Sequence, residues 1–140
     1  MDFAESTPTT RTTVLIIDDN YNDRKYWSNA LRESSVDYLV LEASDAEDGR
    51  RILQNQKVDC VLLDFDMPLS GFFTLIELVP DRDRPKIAVI MLTCLVHPVW
   101  PELTKEHGAQ AWLVKQCTST YDLHHAIQKA IDSVKSLRGS

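Results

Sequence analysis

The chain lacks any apolar run approaching the ~20 residues that a membrane-spanning helix needs, so no span is expected in its 140 residues. Cysteine is scarce. Cys60, Cys94 and Cys117 are odd in number and lack the paired spacing of a zinc site. This argues against a disulfide framework and a structural metal, and for a reducing, cytoplasmic setting. Basic charge is also short, with 15 Lys and Arg against 21 Asp and Glu, for a net charge of −6. That balance excludes the basic footprint of a nucleic-acid binder, so neither nucleic acid nor membrane is an expected partner. The first ten residues are polar and acidic, unlike a signal or transit peptide. No linker or low-complexity stretch divides the sequence. We expect a polar tail over 1–11 and one domain over 12–138, a length ordinary for one hydrophobic core.

What the chain does have is an alternation. Short apolar runs at Val14–Ile17, Tyr38–Leu41, Cys60–Leu63, Ile87–Leu92 and Ala111–Val114 are separated by amphipathic stretches. Most runs are continuous, as strands covered on both faces require. The first helix is expected over about Asn22 to Arg32, with Tyr26, Trp27, Ala30 and Leu31 on its inner face. A second opens with a Ser44/Glu47 capping box and faces inward through Ala46, Gly49, Ile52 and Leu53. A third runs from Phe72 to Val79, a fourth lies near Pro101 to Glu106, and a fifth is capped by Ser119. Trp100, between two prolines, is equally compatible with an exposed and a packed position. His124 and His125 are adjacent on one helix and make a poor metal pair. Five strands alternating with five helices predict a doubly wound α/β domain: a five-stranded parallel sheet in flavodoxin-like order 2-1-3-4-5, with helices on both faces.

Polar residues stand where the apolar runs stop. Asp18 and Asp19 follow the first strand, Asp64 the third, Thr93 the fourth and Lys115 the fifth. In a parallel sheet all these ends meet at one rim, where open α/β sheets bind ligands. The acids are concentrated toward this half, with 14 acids and 7 bases over residues 1–66 and 7 acids and 8 bases over 67–140. Crowded carboxylates repel and raise one another's pKa, a penalty that a hard divalent cation removes. An ammonium and a hydroxyl opposite them suit phosphoryl oxygens, and an aspartate can itself accept a phosphoryl group. Each residue taken singly reads as a helix cap or loop acid. The conjunction at successive strand ends favours the chemical reading.

These motifs resemble a known family. Val14-Leu15-Ile16-Ile17-Asp18-Asp19-Asn20, Leu62-Leu63-Asp64-Phe65-Asp66-Met67-Pro68 with Ser70-Gly71, Thr93, and Gly108 to Lys115 are together similar to the response-regulator receiver domain of two-component signalling, over about Thr12 to Leu137. The resemblance implies a chemotaxis-regulator-like fold. It implies Asp64 as phosphoacceptor, with Asp19 and Asp64 ligating Mg²⁺ (or Mn²⁺), Asp18 acting through bound water, and Asp66 lending its backbone carbonyl. It implies Thr93 and Lys115 as partners of the phosphoryl oxygens, and Trp112 as the switch aromatic. It further implies a histidine kinase or phosphotransfer protein as donor. The output would be a downstream protein target or a homodimer, through the face of the fourth helix, fifth strand and fifth helix. The domain would be no enzyme in its own right beyond its own phosphorylation and dephosphorylation.

The sequence departs from the pattern in four places. The loop from Asp64 to Gly71 is one residue shorter, Cys94 replaces a smaller residue, Trp112 is bulkier than Tyr or Phe, and Gln116 stands where proline and its cis bond are customary. These departures motivate an alternative, a pseudo-receiver that binds partners without phosphorylation. A third reading rests on Asp64-Phe65-Asp66, which also resembles the nucleophile motif of haloacid-dehalogenase-like phosphatases. Only Asp122 and Asp132 are left to serve as its later acidic motif. Leu95 and Asp66 flank the approach of a hydrolytic water and are expected to set the lifetime of a phosphoryl group.

Overall fold

The computed structural model of the chain describes residues 11–66, 68–94 and 96–138; residues 1–10 of the expected tail, and Leu95, lie outside them. Five strands, β1 (Thr12–Ile17), β2 (Tyr38–Ala43), β3 (Cys60–Asp64), β4 (Ala88–Thr93) and β5 (Ala111–Val114), alternate with five helices. The helices are α1 (Tyr21–Arg32), α2 (Ala46–Asn55), α3 (Pro68–Leu78), α4 (Trp100–Glu106) and α5 (Thr120–Arg138). The strands form one sheet in the order β2-β1-β3-β4-β5, with every pairing parallel. This is the expected doubly wound α/β architecture.

The period of two along each strand sends neighbouring side chains to opposite faces. Val14 and Ile16 join a core with Trp27 and Leu31 of α1 and Leu123, Ile127 and Val134 of α5. Leu15 and Ile17 join the other core, with Leu75 of α3, Phe65 and, at its edge, Ile52, Leu53 and Trp100. Both faces of β3 and β4 are therefore dry, which explains why their sequences are unbroken apolar runs.

Helix ends depart from the expected pattern for local reasons. Asp45, not Ser44, caps α2, its side chain accepting from the Asp48 amide at 2.8 Å. α3 begins at Pro68, four residues before Phe72, because proline's missing N–H costs nothing in a first turn. The α4 cap residue, Val99, makes no side-chain capping bond; instead His97 Nδ1 accepts from the Val99 amide at 3.1 Å. α5 starts as expected, Ser119 and Asp122 exchanging side-chain-to-amide bonds at 3.0 and 3.1 Å. On α1, Tyr26 does not face inward but is 60% exposed, while Ser28 is buried and donates to Glu42 at 3.0 Å. With 3.6 residues per turn, the stripe through Trp27 and Leu31 takes in Ser28 and leaves Tyr26 outside.

Candidate functional site

The carboxyl ends of β1, β3, β4 and β5 deliver Asp18, Asp64, Thr93 and Lys115 to one rim, as the parallel topology requires. Asp18 is fixed from three sides. Its amide donates to Ala43 O at 3.1 Å, its Oδ1 accepts from the Asn20 amide at 2.9 Å, and Arg24 Nη1 donates to its carbonyl at 2.7 Å. Arg24 is in turn held by Glu42 at 3.3 Å. Asp18 is only 2% exposed.

Asp18, Asp19 and Asp64 each place a carboxylate oxygen within 4.8 Å of the others. They border a cavity of about 160 Å³ whose far wall includes Ser70 and Thr74 of α3. Burial, with Asp18's negative charge behind it, pushes the Asp64 carboxyl up to about 7 in spite of the Lys115 ammonium. Three all-oxygen donors in a partly desolvated, self-repelling group fit a hard divalent cation, Mg²⁺ or Mn²⁺, and not a soft one.

Across this trio lies Lys115, its side chain 7% exposed. Its Nζ reaches Asp23 Oδ2 at 2.9 Å, Asp18 Oδ2 at 3.0 Å, Asp66 Oδ2 at 3.1 Å and Asp64 Oδ1 at 3.4 Å. Burial opposes its charge, but the hydrogen bonds it donates to Asp23 and Asp18 prevail and hold the ammonium above its usual range. Thr93 is fully buried and donates through Oγ1 to Asp66 Oδ1 at 2.6 Å. The Cys94 amide donates to the same oxygen at 2.7 Å. Burial raises the Asp66 carboxyl, yet the bonds from Thr93, Cys94 and Lys115 outweigh it and hold the group below the usual carboxylate range. Asp66 thus turns its side chain toward β4 and β5, grouping with Asp23 and Cys94 and not with the other three acids.

Behind the rim, the ring of Phe65, the residue after Asp64, is fully buried. Trp112 and Trp100 meet it edge-on at 5.2 and 5.1 Å, and Phe72 extends the cluster to Trp100 and His107. Trp100 is therefore packed. His124 leans on the β2 edge through Tyr38, and Asp122 is engaged as the α5 cap.

The residues expected at the site, Asp18, Asp19, Asp64, Asp66, Thr93 and Lys115, gather at this rim, with Trp112 one layer below. Three contributors went unrecognised in the sequence. They are Asp23, which makes the shortest contact to Lys115; Arg24, which braces Asp18; and the amide of Cys94. The signal for Asp23 and Arg24 was Asn20, which caps α1 by accepting from the Asp23 amide and so lays the first helical turn over the rim.

Residues 14–128 match the response regulator receiver domain family. Among curated proteins, the chain is 36% identical over 107 residues to the probable transcriptional regulator ycf27 of Guillardia theta, covering 76% of this chain and 40% of that one. It is 32% identical over 103 residues to protein PilH of Pseudomonas aeruginosa, covering 73% and 84%. The chain spans about 40% or less of the length of several curated relatives, some of them named as transcriptional regulators or methylesterases. Among solved structures, a response regulator receiver domain protein from Clostridium thermocellum is 31% identical, with a TM-score of 0.74 over 90% of this chain and 98% of that one. The chemotaxis response regulator CheY4 of Vibrio cholerae is 26% identical, with a TM-score of 0.73 over 86% and 99%. The fold, the acid-lined rim and these similarities together establish that the chain belongs to the response regulator receiver domain family.

Proposed function

We propose that the domain takes a phosphoryl group on Asp64 from a histidine kinase or phosphotransfer protein and uses it to switch a binding surface. One observation carries this reading: a partly desolvated carboxylate at the end of β3, flanked by Asp18 and Asp19, lies within reach of a buried ammonium. The attacking atom is an Asp64 carboxylate oxygen. It forms the new P–O bond as the bond from phosphorus to the donor's imidazole nitrogen breaks, and the imidazole leaves with the bonding electron pair and is then protonated. Asp19 and Asp64 would hold Mg²⁺ or Mn²⁺ directly, Asp18 through water and Asp66 through its carbonyl. When bound, the ion offsets charge on the phosphoryl oxygens and favours the ionised Asp64 that attack requires. Thr93 and Lys115 would bind the remaining oxygens.

The added dianion would then bias a two-state element. Thr93 ends β4, and Trp112 on β5 packs against Phe65 beside Asp64, so a shift of Thr93 has a short packed route to the surface of α4, β5 and α5. That surface is our candidate for contact with a downstream protein or a second copy. Among the described residues no helix is long and apolar enough to cross a membrane, in keeping with a cytoplasmic site of action. A phosphatase reading has less support, since Asp122, one of its two candidate late acids, is spent as the α5 cap.

The test is the intact mass after incubation with Mg²⁺ and acetyl phosphate. We expect one phosphoryl adduct, labile to hydroxylamine and absent from Asp64→Asn. No adduct, with Mg²⁺ binding confirmed, would favour a pseudo-receiver acting without phosphorylation, and wild-type partner binding by Asp64→Ala would establish it.

A further inference from the structure

Thr93 and Lys115, assigned above to the phosphoryl oxygens, already have an anionic partner, which they share with the Cys94 amide. The Thr93 hydroxyl and the Cys94 amide both donate to Asp66 Oδ1, at 2.6 and 2.7 Å, and the Lys115 ammonium donates to Asp66 Oδ2 at 3.1 Å. An O–H, an N–H and an N⁺–H, drawn from the ends of two strands, converge on one carboxylate two residues beyond Asp64. Lys115 lies closer to Asp66 than to Asp64, whose contact at 3.4 Å is its longest. Asp64 in turn accepts from the Asp66 amide at 3.0 Å, so the two carboxylates share one tight turn.

We infer that Asp66 is an internal stand-in for the phosphoryl group: its carboxylate occupies the donors that a phosphoryl group on Asp64 needs, and phosphorylation proceeds by displacing it. The inference rests on the reading of Asp64 as phosphoacceptor. The physical case is competition. A phosphoryl dianion carries more charge than a carboxylate and has three terminal oxygens for the same donors, so it wins once formed. It also repels Asp66, whose side chain is 31% exposed and has solvent to move into. Before transfer, however, Asp66 holds Thr93 and Lys115 in hydrogen bonds that must break before either can help the incoming group. Asp66 is thus a positioning residue that acts through Thr93 and Lys115, and it slows a reaction that its neighbours promote. It also keeps the Thr93 hydroxyl drawn toward the rim in the unphosphorylated protein.

The test compares wild type with Asp66→Ala, Asp66→Asn and Asp66→Glu. The readout is the initial rate of adduct formation against acetyl phosphate concentration in Mg²⁺, with Asp64→Asn as the blank. Removing the competitor should raise the maximal rate about tenfold in Asp66→Ala, the equivalent of one charged hydrogen bond. Asp66→Asn should give a smaller rise and Asp66→Glu a rate near wild type, so that rate follows charge and not side-chain size. A residue that only props up the fold would not give this order. A second measurement follows the Cys94 amide proton by NMR in unphosphorylated protein. It should move on Asp66→Ala and, in wild type, move the same way when the adduct forms. Equal or slower phosphorylation of the folded Ala and Asn variants would overturn the stand-in and leave the phosphoacceptor reading standing. An adduct on none of the proteins would overturn both.

Discussion

At the residue scale, Lys115 decides whether the rim is tolerable at all. One ammonium contacts Asp18, Asp23, Asp64 and Asp66 between 2.9 and 3.4 Å, with little solvent to share the load. Removing one partner of a buried ionic group leaves the others uncompensated, at a cost of about 3–5 kcal/mol for a single pair. We expect Lys115→Ala to lower the unfolding free energy by about 3 kcal/mol, on that scale, in metal-free buffer at pH 8. The loss should be smaller at pH 5, where Asp64 is protonated and one repelling charge is gone. Urea denaturation at the two pH values measures the difference. An equal loss at both would mean that Lys115 contributes packing by its methylene stem and not charge. Asp64 and Lys115 could be picked out of the sequence because each stands where an apolar run ends, which marks the rim without any structure. Asp23 and Arg24 are marked only indirectly, through the Asn20 cap, because their use depends on how the first turn of α1 is laid over that rim. The side chain of Asp66 was missed for a similar reason. Its sequence position fixes its carbonyl near Asp64, while its carboxylate follows donors supplied from β4 and β5.

At the element scale, the continuous apolar runs gave β3 and β4 to within a residue, since burial on both faces leaves no polar position to blur their ends, and β5, a half-buried strand at the sheet edge, coincides with its apolar run Ala111–Val114. Helix starts were harder. Asp45 competes with Ser44 for α2, and His97 caps α4 with a ring nitrogen that no cap rule anticipates. Gly71 ties an element to the site. A Cβ there would lie 2.5 Å from Phe65 Cδ1 and 3.3 Å from Asp64 O, so α3 can approach the end of β3 only with glycine at this point. Alanine would gain about 1 kcal/mol of helix propensity. It would lose about 1–3 kcal/mol to overpacking, since Phe65 is an aromatic ring buried among Trp100, Trp112 and Leu75 and has no room to retreat. We expect Gly71→Ala to be destabilising by about 1 kcal/mol on balance and to perturb tryptophan fluorescence through the displaced Phe65 ring. A variant as stable as wild type with unchanged fluorescence would show that α3 can slide outward. The short loop from Asp64 to Gly71 would then constrain the rim less than its length implies.

At the scale of the whole molecule, folding gathers acids from β1, α1 and β3 onto one edge of the sheet, and the cost of that gathering depends on pH. The Asp64 carboxyl, near 3.8 when solvated, is pushed up to about 7 by burial and by Asp18's charge. A group whose pKa is raised by folding stabilises the native state fully below its unfolded value, and that contribution is lost as pH rises through the folded value. The window is therefore about pH 4 to 7, and above it the native rim carries an extra, poorly solvated negative charge. We expect the metal-free protein to lose melting temperature between pH 5.5 and pH 8, and Asp64→Asn to lose less over the same interval, because amide and carboxylate differ in nothing else that titrates there. A divalent cation binds the ionised rim and not the protonated one. Mg²⁺ should therefore raise the melting temperature of wild type by several degrees at pH 8, by little at pH 5.5, and by little at either pH in Asp64→Asn. Ca²⁺, which takes more oxygen ligands at longer distances, should do so less efficiently than Mg²⁺. Scanning calorimetry of the two proteins, with and without Mg²⁺, reads all of these arms. An Mg²⁺ effect equal at the two pH values, or undiminished in Asp64→Asn, would place the cation outside the trio of Asp18, Asp19 and Asp64.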